Sequence, residues 1–281
     1  MSEWAFINND FIADQDARLH YRDLVFQRGY GVFDFLKVMN GIPVFLEDHL
    51  DRFFYSSGQL NLEVPLNKQQ LEAVIVELIR KNEAVHCGIR LSLTGGYSPD
   101  GYNPAEPNLV VSVHRFQLPT PDDFSRGIRL MSHAYQRQLP HIKTIDYLMA
   151  VMLQPRLKEI NADDILYHQD GDITECPRAN FFIVTSGNKL VTPSRNILKG
   201  ITRAKILNAA SSLMQVEERK LSMEELRSAK EAFITSTTKM VLPVQSVDDI
   251  RFPVERTVAT KLNELLLQLH PGPRPGFLAT S

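Results

Sequence analysis

The stretch Pro140-His-Ile-Lys-Thr-Ile-Asp-Tyr-Leu148, taken with Gly171-Asp-Ile-Thr-Glu-Cys-Pro-Arg-Ala-Asn-Phe-Phe182, decides how this chain is read. Lys143 stands between an isoleucine and the start of a predicted helix, in a segment otherwise short of charge. Alone it would be a surface lysine, since lysines seldom stay buried. Glu175 follows the turn Asp170-Gly171-Asp172, which feeds a strand running into Phe181 and Phe182. Alone it would be an edge-strand carboxylate. As a pair they offer an amine that can condense with a carbonyl and a carboxylate that can keep a heteroaromatic nitrogen protonated.

Downstream, Leu198-Lys-Gly-Ile-Thr-Arg203 sets a glycine and free amides at a predicted helix start. Unsatisfied N–H groups and the helix dipole favour a phosphate there. The same pattern also serves as an ordinary threonine N-cap. Ser236 and Thr237 supply hydroxyls in a turn between two predicted strands, a pattern shared with hydroxyl-stabilised loops.

Length and charge limit the alternatives. With 281 residues, 43% of them hydrophobic, the chain can bury a full core. The balance of 31 basic against 33 acidic residues gives no broad positive field, so neither nucleic acid nor a membrane surface is an expected partner. Cys87 and Cys176 are the only cysteines and form no C-x-x-C pattern, which suggests neither a disulfide framework nor a zinc cluster. A reducing cytoplasm and no metal are expected. The N-terminus has no basic start followed by an apolar run, and no stretch approaches the length of a membrane span. There is no G-x-G-x-x-G after a strand, no P-loop and no H-E-x-x-H, and His49 reads as a helix-start residue.

The pattern of elements is mixed α/β. Val32 to Met39 and Ile42 to Leu46 flank Asn40-Gly41, a two-residue hairpin signal. Glu47 to Leu60 and Leu71 to Ile79 carry helical periodicity, and strands are predicted at Ile89 to Leu93 and Leu109 to Phe116 around a turn-rich loop. The polar, proline-bearing Leu118-Pro-Thr-Pro-Asp-Asp123 reads as a linker. Residues 1–117 are therefore expected to form a smaller N-terminal α/β domain, 118–125 the linker, 126–270 a larger C-terminal mixed α/β domain, and 271–281 a loose tail. In the second half, strands are predicted at Ile128 to Ser132, Ile165 to His168, Phe181 to Thr185, Lys189 to Thr192, Ala232 to Thr235 and Met240 to Val247. Helices are predicted from Asp146 to Ile160, from Gly200, and from Val254 to Leu269.

The ordered set Gly29-Tyr-Gly-Val-Phe-Asp34, His49-Leu-Asp-Arg52, the Lys143 and Glu175 segments and the run up to Pro243 resembles the fold-type IV pyridoxal phosphate enzymes, the class IV aminotransferases. That family contains branched-chain and D-amino-acid aminotransferases and aminodeoxychorismate lyases. The resemblance implies a two-domain fold with the cofactor between the domains, a homodimer, and pyridoxal 5'-phosphate held on Lys143 as a Schiff base. It further implies that Glu175 pairs with the pyridine nitrogen. Arg52 is similar to the family's phosphate arginine, and Ile201, Thr202 and Thr237 to its phosphate amides and hydroxyls. Tyr147, four residues after Lys143 on the predicted helix, would reach back to the cofactor's phenolic oxygen. Tyr30, Phe33, Phe35, Arg90 and Tyr97 would line the substrate pocket. Glycine stands in Thr94-Gly-Gly where D-amino-acid aminotransferases carry an arginine, which speaks against strict D-specificity. The expected activity is amino exchange between an amino acid, branched-chain or similar, and a 2-oxo acid. Thr174-Glu-Cys-Pro-Arg-Ala-Asn180 and the Gly-Gly-Tyr loop resemble the lyases, so pyruvate elimination from aminodeoxychorismate stays open. So do a non-catalytic cofactor-binding paralogue and an unrelated α/β enzyme.

Overall fold

The computed structural model describes residues 3–253 and 256–270. The chain divides into two compact units. One takes the chain as far as Phe116 together with Ile142–Asp146, and the other takes Gln117–His141 and Tyr147–Leu269. Lys143 thus lies in the first unit and not in the 126–270 domain to which its sequence position assigns it. The tail from residue 271 falls outside the described residues.

The first unit is built on a six-stranded antiparallel sheet in the order β2-β1-β6-β5-β3-β4, with β1 at Trp4–Ile7, β2 at Asp10–Ala13, β3 at Gly31–Met39, β4 at Ile42–Pro43, β5 at Cys87–Thr94 and β6 at Leu109–His114. Three helices accompany it: α1 (Leu24–Arg28), α2 (Leu46–Gln59) and α3 (Lys68–Lys81). The expected hairpin is present. Asn40 and Gly41 both take positive φ, 53° and 74°, as a two-residue turn matching strand twist requires. Its second strand stops at Pro43, and the chain turns through Phe45 (φ 55°) into α2. The β1–β2 hairpin at the N-terminus went unpredicted; its signal is Asn8, which turns at φ 56°.

Side chains on a strand alternate between faces, so Val32, Asp34, Leu36 and Val38 of β3 share one side. Val32, Leu36 and Val38 join Phe53 of α2, Leu71, Ile75 and Leu78 of α3, and Ile89, Leu91 and Leu93 of β5 in the first core. Asp34 is carried inward with them and is fully buried. Its counter-charge comes from α2, where His49 and Arg52 are one turn apart and face the same way.

The second unit holds a ten-stranded mixed sheet whose main path runs β13-β12-β11-β14-β15-β7-β8-β9. Its strands are β7 (Ile128–Ala134), β8 (Asp164–Gln169), β9 (Asp172–Ile173), β10 (Glu175–Cys176), β11 (Ala179–Val184), β12 (Leu190–Pro193), β13 (Val216–Arg219), β14 (Glu231–Ser236), β15 (Met240–Val247) and β16 (Ile250–Arg251). β10 pairs with β11, and β16 with β15. Every residue of β11 is buried, which explains its unbroken apolar run. Phe181 and Ile183 join one core with Ile234 and Leu242, while on the alternate face Phe182 stacks on Phe233 at 5.2 Å. The helices are α4 (Pro121–Arg126), α5 (Leu148–Met152), α6 (Gln154–Glu159), α7 (Ile201–Ala210) and α8 (Thr257–Gln268).

Two segments take a local form other than the expected one. The chain passes from one unit to the other between Phe116 and Gln117, and the segment expected as a linker carries α4, because Thr120 and Asp123 form a reciprocal capping box around Pro121 at the first helical position. The single helix from Asp146 to Ile160 is two short ones. Pro155 lacks the N–H that a continuous helix needs, and α6 restarts around it after Leu153.

Burial pushes the Asp34 carboxyl upward, but the charges and hydrogen bonds of Arg52 and His49 outweigh it and leave it far below the usual carboxylate range. Its stabilisation is therefore complete above about pH 4, the unfolded value, and fades as acid is added below that. Replacing Asp34 with Ala strands the buried His49 and the partly buried Arg52 and should cost about 3–5 kcal/mol in urea unfolding at pH 7. A wild-type-like midpoint would contradict this account.

Candidate active site

In the first unit, Lys143 sits in an extended segment laid along β3. The Phe33 N–H donates to the Lys143 carbonyl at 2.9 Å, the Ile145 N–H donates to the Gly31 carbonyl at 3.2 Å, and Thr144 bridges Val32. The close approach needs Gly31, because a Cβ there would stand 2.7 Å from the Leu93 carbonyl oxygen and 3.2 Å from the Ile145 side chain. Ile142 is drawn into the first core, and the Lys143 N–H reaches the buried Ser56 hydroxyl of α2 at 3.3 Å. The backbone on both sides of the lysine is thus fixed before its side chain does anything. The Lys143 Nζ lies 4.3 Å from the centre of the Phe33 ring, and the Arg90 guanidinium carbon lies 4.2 Å from the same centre. One buried aromatic ring seats an amine and a guanidinium through its quadrupole.

Arg52 projects from α2 in the same unit. Its Nε donates to Asp34 Oδ2 and its Nη2 to Asp34 Oδ1, both at 2.8 Å, a two-pronged fork with fixed geometry. His49 Nδ1 bonds Asp34 Oδ1 at 2.7 Å. An ionised carboxylate only accepts, so that nitrogen carries the proton. Burial lowers the His49 pKa despite the pull of Asp34. The Nε edge of Arg52 is committed to Asp34, and the side chain keeps 13% exposure, which leaves the Nη1 edge to meet an anion.

In the second unit, Glu175 lies on β10 with only 6% of its side chain exposed. Such burial of a carboxylate requires a counter-charge. Arg137 supplies it from the chain after β7: its Nε donates to Glu175 Oε1 at 2.8 Å, while its Nη2 ties back to the Pro140 carbonyl at 2.5 Å. The Leu198 N–H donates to the other oxygen, Oε2, at 2.8 Å. Both carboxylate oxygens are thus held, one by a guanidinium and the other by a main-chain amide.

Leu198 leads into α7. No side chain caps that helix at Gly200, yet Ile201, Thr202 and Arg203 in its first turn are 7%, 6% and 4% exposed. Uncapped amides at a buried helix start call for an anion. A second unmet demand lies close in the sheet, where the Thr235 hydroxyl is buried without a hydrogen-bond partner. Beyond it, Ser236 to Lys239 turn between β14 and β15, with the Ser236 hydroxyl accepting from the Lys239 N–H at 3.1 Å and Lys239 Nζ bound to the buried Asp164 at 2.7 Å. Thr237 stands half-buried at the apex of this turn. These features fit a phosphorylated cofactor with a basic ring nitrogen: amides and hydroxyls for the phosphate, a charge-compensated carboxylate for the nitrogen.

The other predicted site residues are distributed as follows. Phe33 and Arg90 come together with Lys143. The Tyr30 hydroxyl donates to the Leu60 carbonyl, and its ring packs against the first core. Tyr97 is 44% exposed, bridges Asp23 and faces His20 at 6.0 Å. Tyr147 is the residue before α5, with φ −128°, and Lys143 precedes the helix altogether. The helical turn that was to bring Tyr147 back toward Lys143 does not exist. Asp34, His49, Arg137 and Asn180 were not anticipated as parts of the site. For Asp34 a signal was available: an acid at an inward-facing strand position, with a histidine and an arginine spaced i, i+3 on the next helix. Arg137 had none, being one arginine in a loop. Among the described residues no cluster of side chains could hold a metal ion, and no helix is long and apolar enough to cross a membrane.

Comparison with known proteins bears on the same residues. The chain is 29% identical over 253 residues to a putative branched-chain-amino-acid aminotransferase of Methanocaldococcus jannaschii, covering 86% of this chain and 87% of that one. It is 26% identical over 250 residues to a D-alanine aminotransferase of Staphylococcus epidermidis, covering 86% and 88%. The solved structure of a putative 4-amino-4-deoxychorismate lyase from Legionella pneumophila matches with a TM-score of 0.84 at 27% identity, covering 91% of this chain and 97% of the other. The model of the family described as amino-transferase class IV matches residues 31–247, a span that takes in β3, the Lys143 segment, Glu175, the start of α7 and the Thr237 turn. The chain therefore belongs to the class IV aminotransferases.

Proposed function

We propose that this protein is a pyridoxal 5'-phosphate-dependent aminotransferase that exchanges an amino group between an amino acid, branched-chain or similar, and a 2-oxo acid. The observation that carries the reading is the seat of Lys143: a fixed backbone, with its amine on the Phe33 ring beside Arg90. When bound, the cofactor supplies an aldehyde that condenses with amines and a ring that accepts the electron pair released at the substrate's α-carbon. Everything else falls to the chain. Lys143 is the amine that holds the cofactor, and once displaced by substrate it is the base that takes the α-proton and returns it. Glu175, held ready by Arg137 and the Leu198 amide, accepts the N–H of the ring and keeps that nitrogen protonated. Arg52, the amides of Ile201 and Thr202, and the Thr237 hydroxyl take the phosphate. Arg90 takes a substrate carboxylate, with Phe33 as the wall beneath it, and Tyr30 and Tyr97 belong to the surrounding surface.

The working form in this reading is a homodimer in the reducing cytoplasm, where the buried thiols of Cys87 and Cys176 stay free. A second reading, elimination of pyruvate from aminodeoxychorismate, is supported by the match to the Legionella protein. The two share Lys143 and Glu175 and differ in what leaves the substrate.

Reduction of the holoenzyme with borohydride followed by peptide mapping should place the label on Lys143, and L- and D-amino donors should pass amino groups to 2-oxoglutarate or pyruvate. Label on a different lysine would end the proposal; pyruvate release from aminodeoxychorismate without amino exchange would move it to the lyase. Glu175→Gln should lower kcat by about 10²-fold or more with a much smaller change in KM, as expected for loss of a group that acts on developing charge. Arg90→Leu should raise KM for the 2-oxo acid by about 10- to 100-fold, the value of a charged hydrogen bond, and leave the borohydride label intact.

A further inference from the structure

Glu175, Asn180 and Thr235 form one row across three strands. Glu175 is the register partner of Asn180 in the β10–β11 hairpin, and Asn180 is the register partner of Thr235 between β11 and β14. Residues directly opposite each other in antiparallel strands point to the same face, so the three side chains stand side by side. All three are buried, with 4%, 5% and 1% exposure. Two of them reach the same residue. Glu175 Oε2 accepts the Leu198 N–H at 2.8 Å, and Asn180 Nδ2 donates to the Leu198 carbonyl at 2.8 Å. Leu198 is therefore clamped on both its backbone groups by neighbours in one strand row.

The clamp extends to the helix start. A Cβ on Gly200 would stand 2.2 Å from Asn180 Oδ1, well inside contact distance. Gly200 has φ −67°, a value any residue adopts, so its lack of a side chain answers to Asn180 and not to backbone strain. Asn180 thus fills the space that fixes where α7 begins, and with it the uncapped amides of Ile201 and Thr202.

We propose that Asn180 is a positioning residue for the cofactor's phosphate: it sets the Leu198–Gly200 turn so that the first amides of α7 point at the phosphate, and it ties that turn to the carboxylate that serves the ring nitrogen. The proposal rests on the reading of this chain as a pyridoxal phosphate enzyme. It goes further by placing control of the phosphate end in a side chain that offers the phosphate nothing itself, since both polar ends of the Asn180 amide face the Leu198–Gly200 turn.

Apoenzyme titrated with pyridoxal 5'-phosphate and, separately, with pyridoxal, which lacks the phosphate, separates positioning from general damage. Asn180→Ala should weaken pyridoxal phosphate binding about tenfold, the scale of one or two misdirected hydrogen bonds to an anion, while pyridoxal affinity stays within about twofold. Gly200→Ala should shift the ratio the same way, and the double variant should bind no worse than Asn180→Ala, because removing the amide removes the clash. Equal loss for both aldehydes, or no loss in a variant with a wild-type thermal transition, would overturn the role of Asn180. If Asn180→Ala does not fold, Gly200→Ala, which disturbs the turn from the opposite side, decides by the same ratio. Failure of the wild-type chain to bind either aldehyde would instead sink the underlying reading.

Discussion

Burying a carboxylate is the constraint on which both units of this protein are organised. Removal of an ionised group from water is expensive, and the expense is tolerable only where a cation and hydrogen-bond donors are already in place. Asp34 and Glu175 meet that condition in the same manner, each with an arginine at 2.8 Å and a second donor on the carboxylate. In the first unit the pairing orients Arg52. In the second it holds Arg137 and Leu198 around the Glu175 carboxylate. The charges that look functional are thus also the ones that specify the local fold.

Rigid supports come before chemistry in both units. Lys143 is flanked by main-chain hydrogen bonds to β3 and by Ile142 in the core, so the four-carbon stem carries all the freedom its amine requires. Glu175 sits on a two-strand hairpin whose partner strand, β11, is buried throughout. A site on strands and helix starts is held more closely than one on loops, and here even the loop that leads into α7 is clamped on both backbone groups of Leu198.

The relatives name three different outcomes, branched-chain exchange, D-alanine exchange and lyase chemistry, at nearly equal identity. That spread has a chemical reason. The amine, the ring-nitrogen acid and the phosphate amides are common to all such reactions, whereas the choice among them depends on the few side chains around the substrate. Under the proposed function, those on this chain would be Arg90, Phe33 and the loop that carries Tyr97.

Much of this was legible in the residues themselves. Apolar runs marked β3, β5, β11 and β15, Asn40-Gly41 marked a hairpin, and the lysine, the glutamate and the Gly-Ile-Thr segment could be picked out by their neighbours, because these signals are local and each is spelled within a few consecutive positions. Most of the partners were not. Glu175 with Arg137, Asn180 with Leu198 and Lys143 with Phe33 join residues far apart along the chain, and no local pattern says that Arg137 will face Glu175. Even the assignment of Lys143 to the first unit, and the absence of a helical turn between it and Tyr147, came only with the packing of Ile142–Asp146 against β3. Secondary structure is set by periodicity and caps, while the pairing of buried charges is set by which faces the sheet and helices bring together.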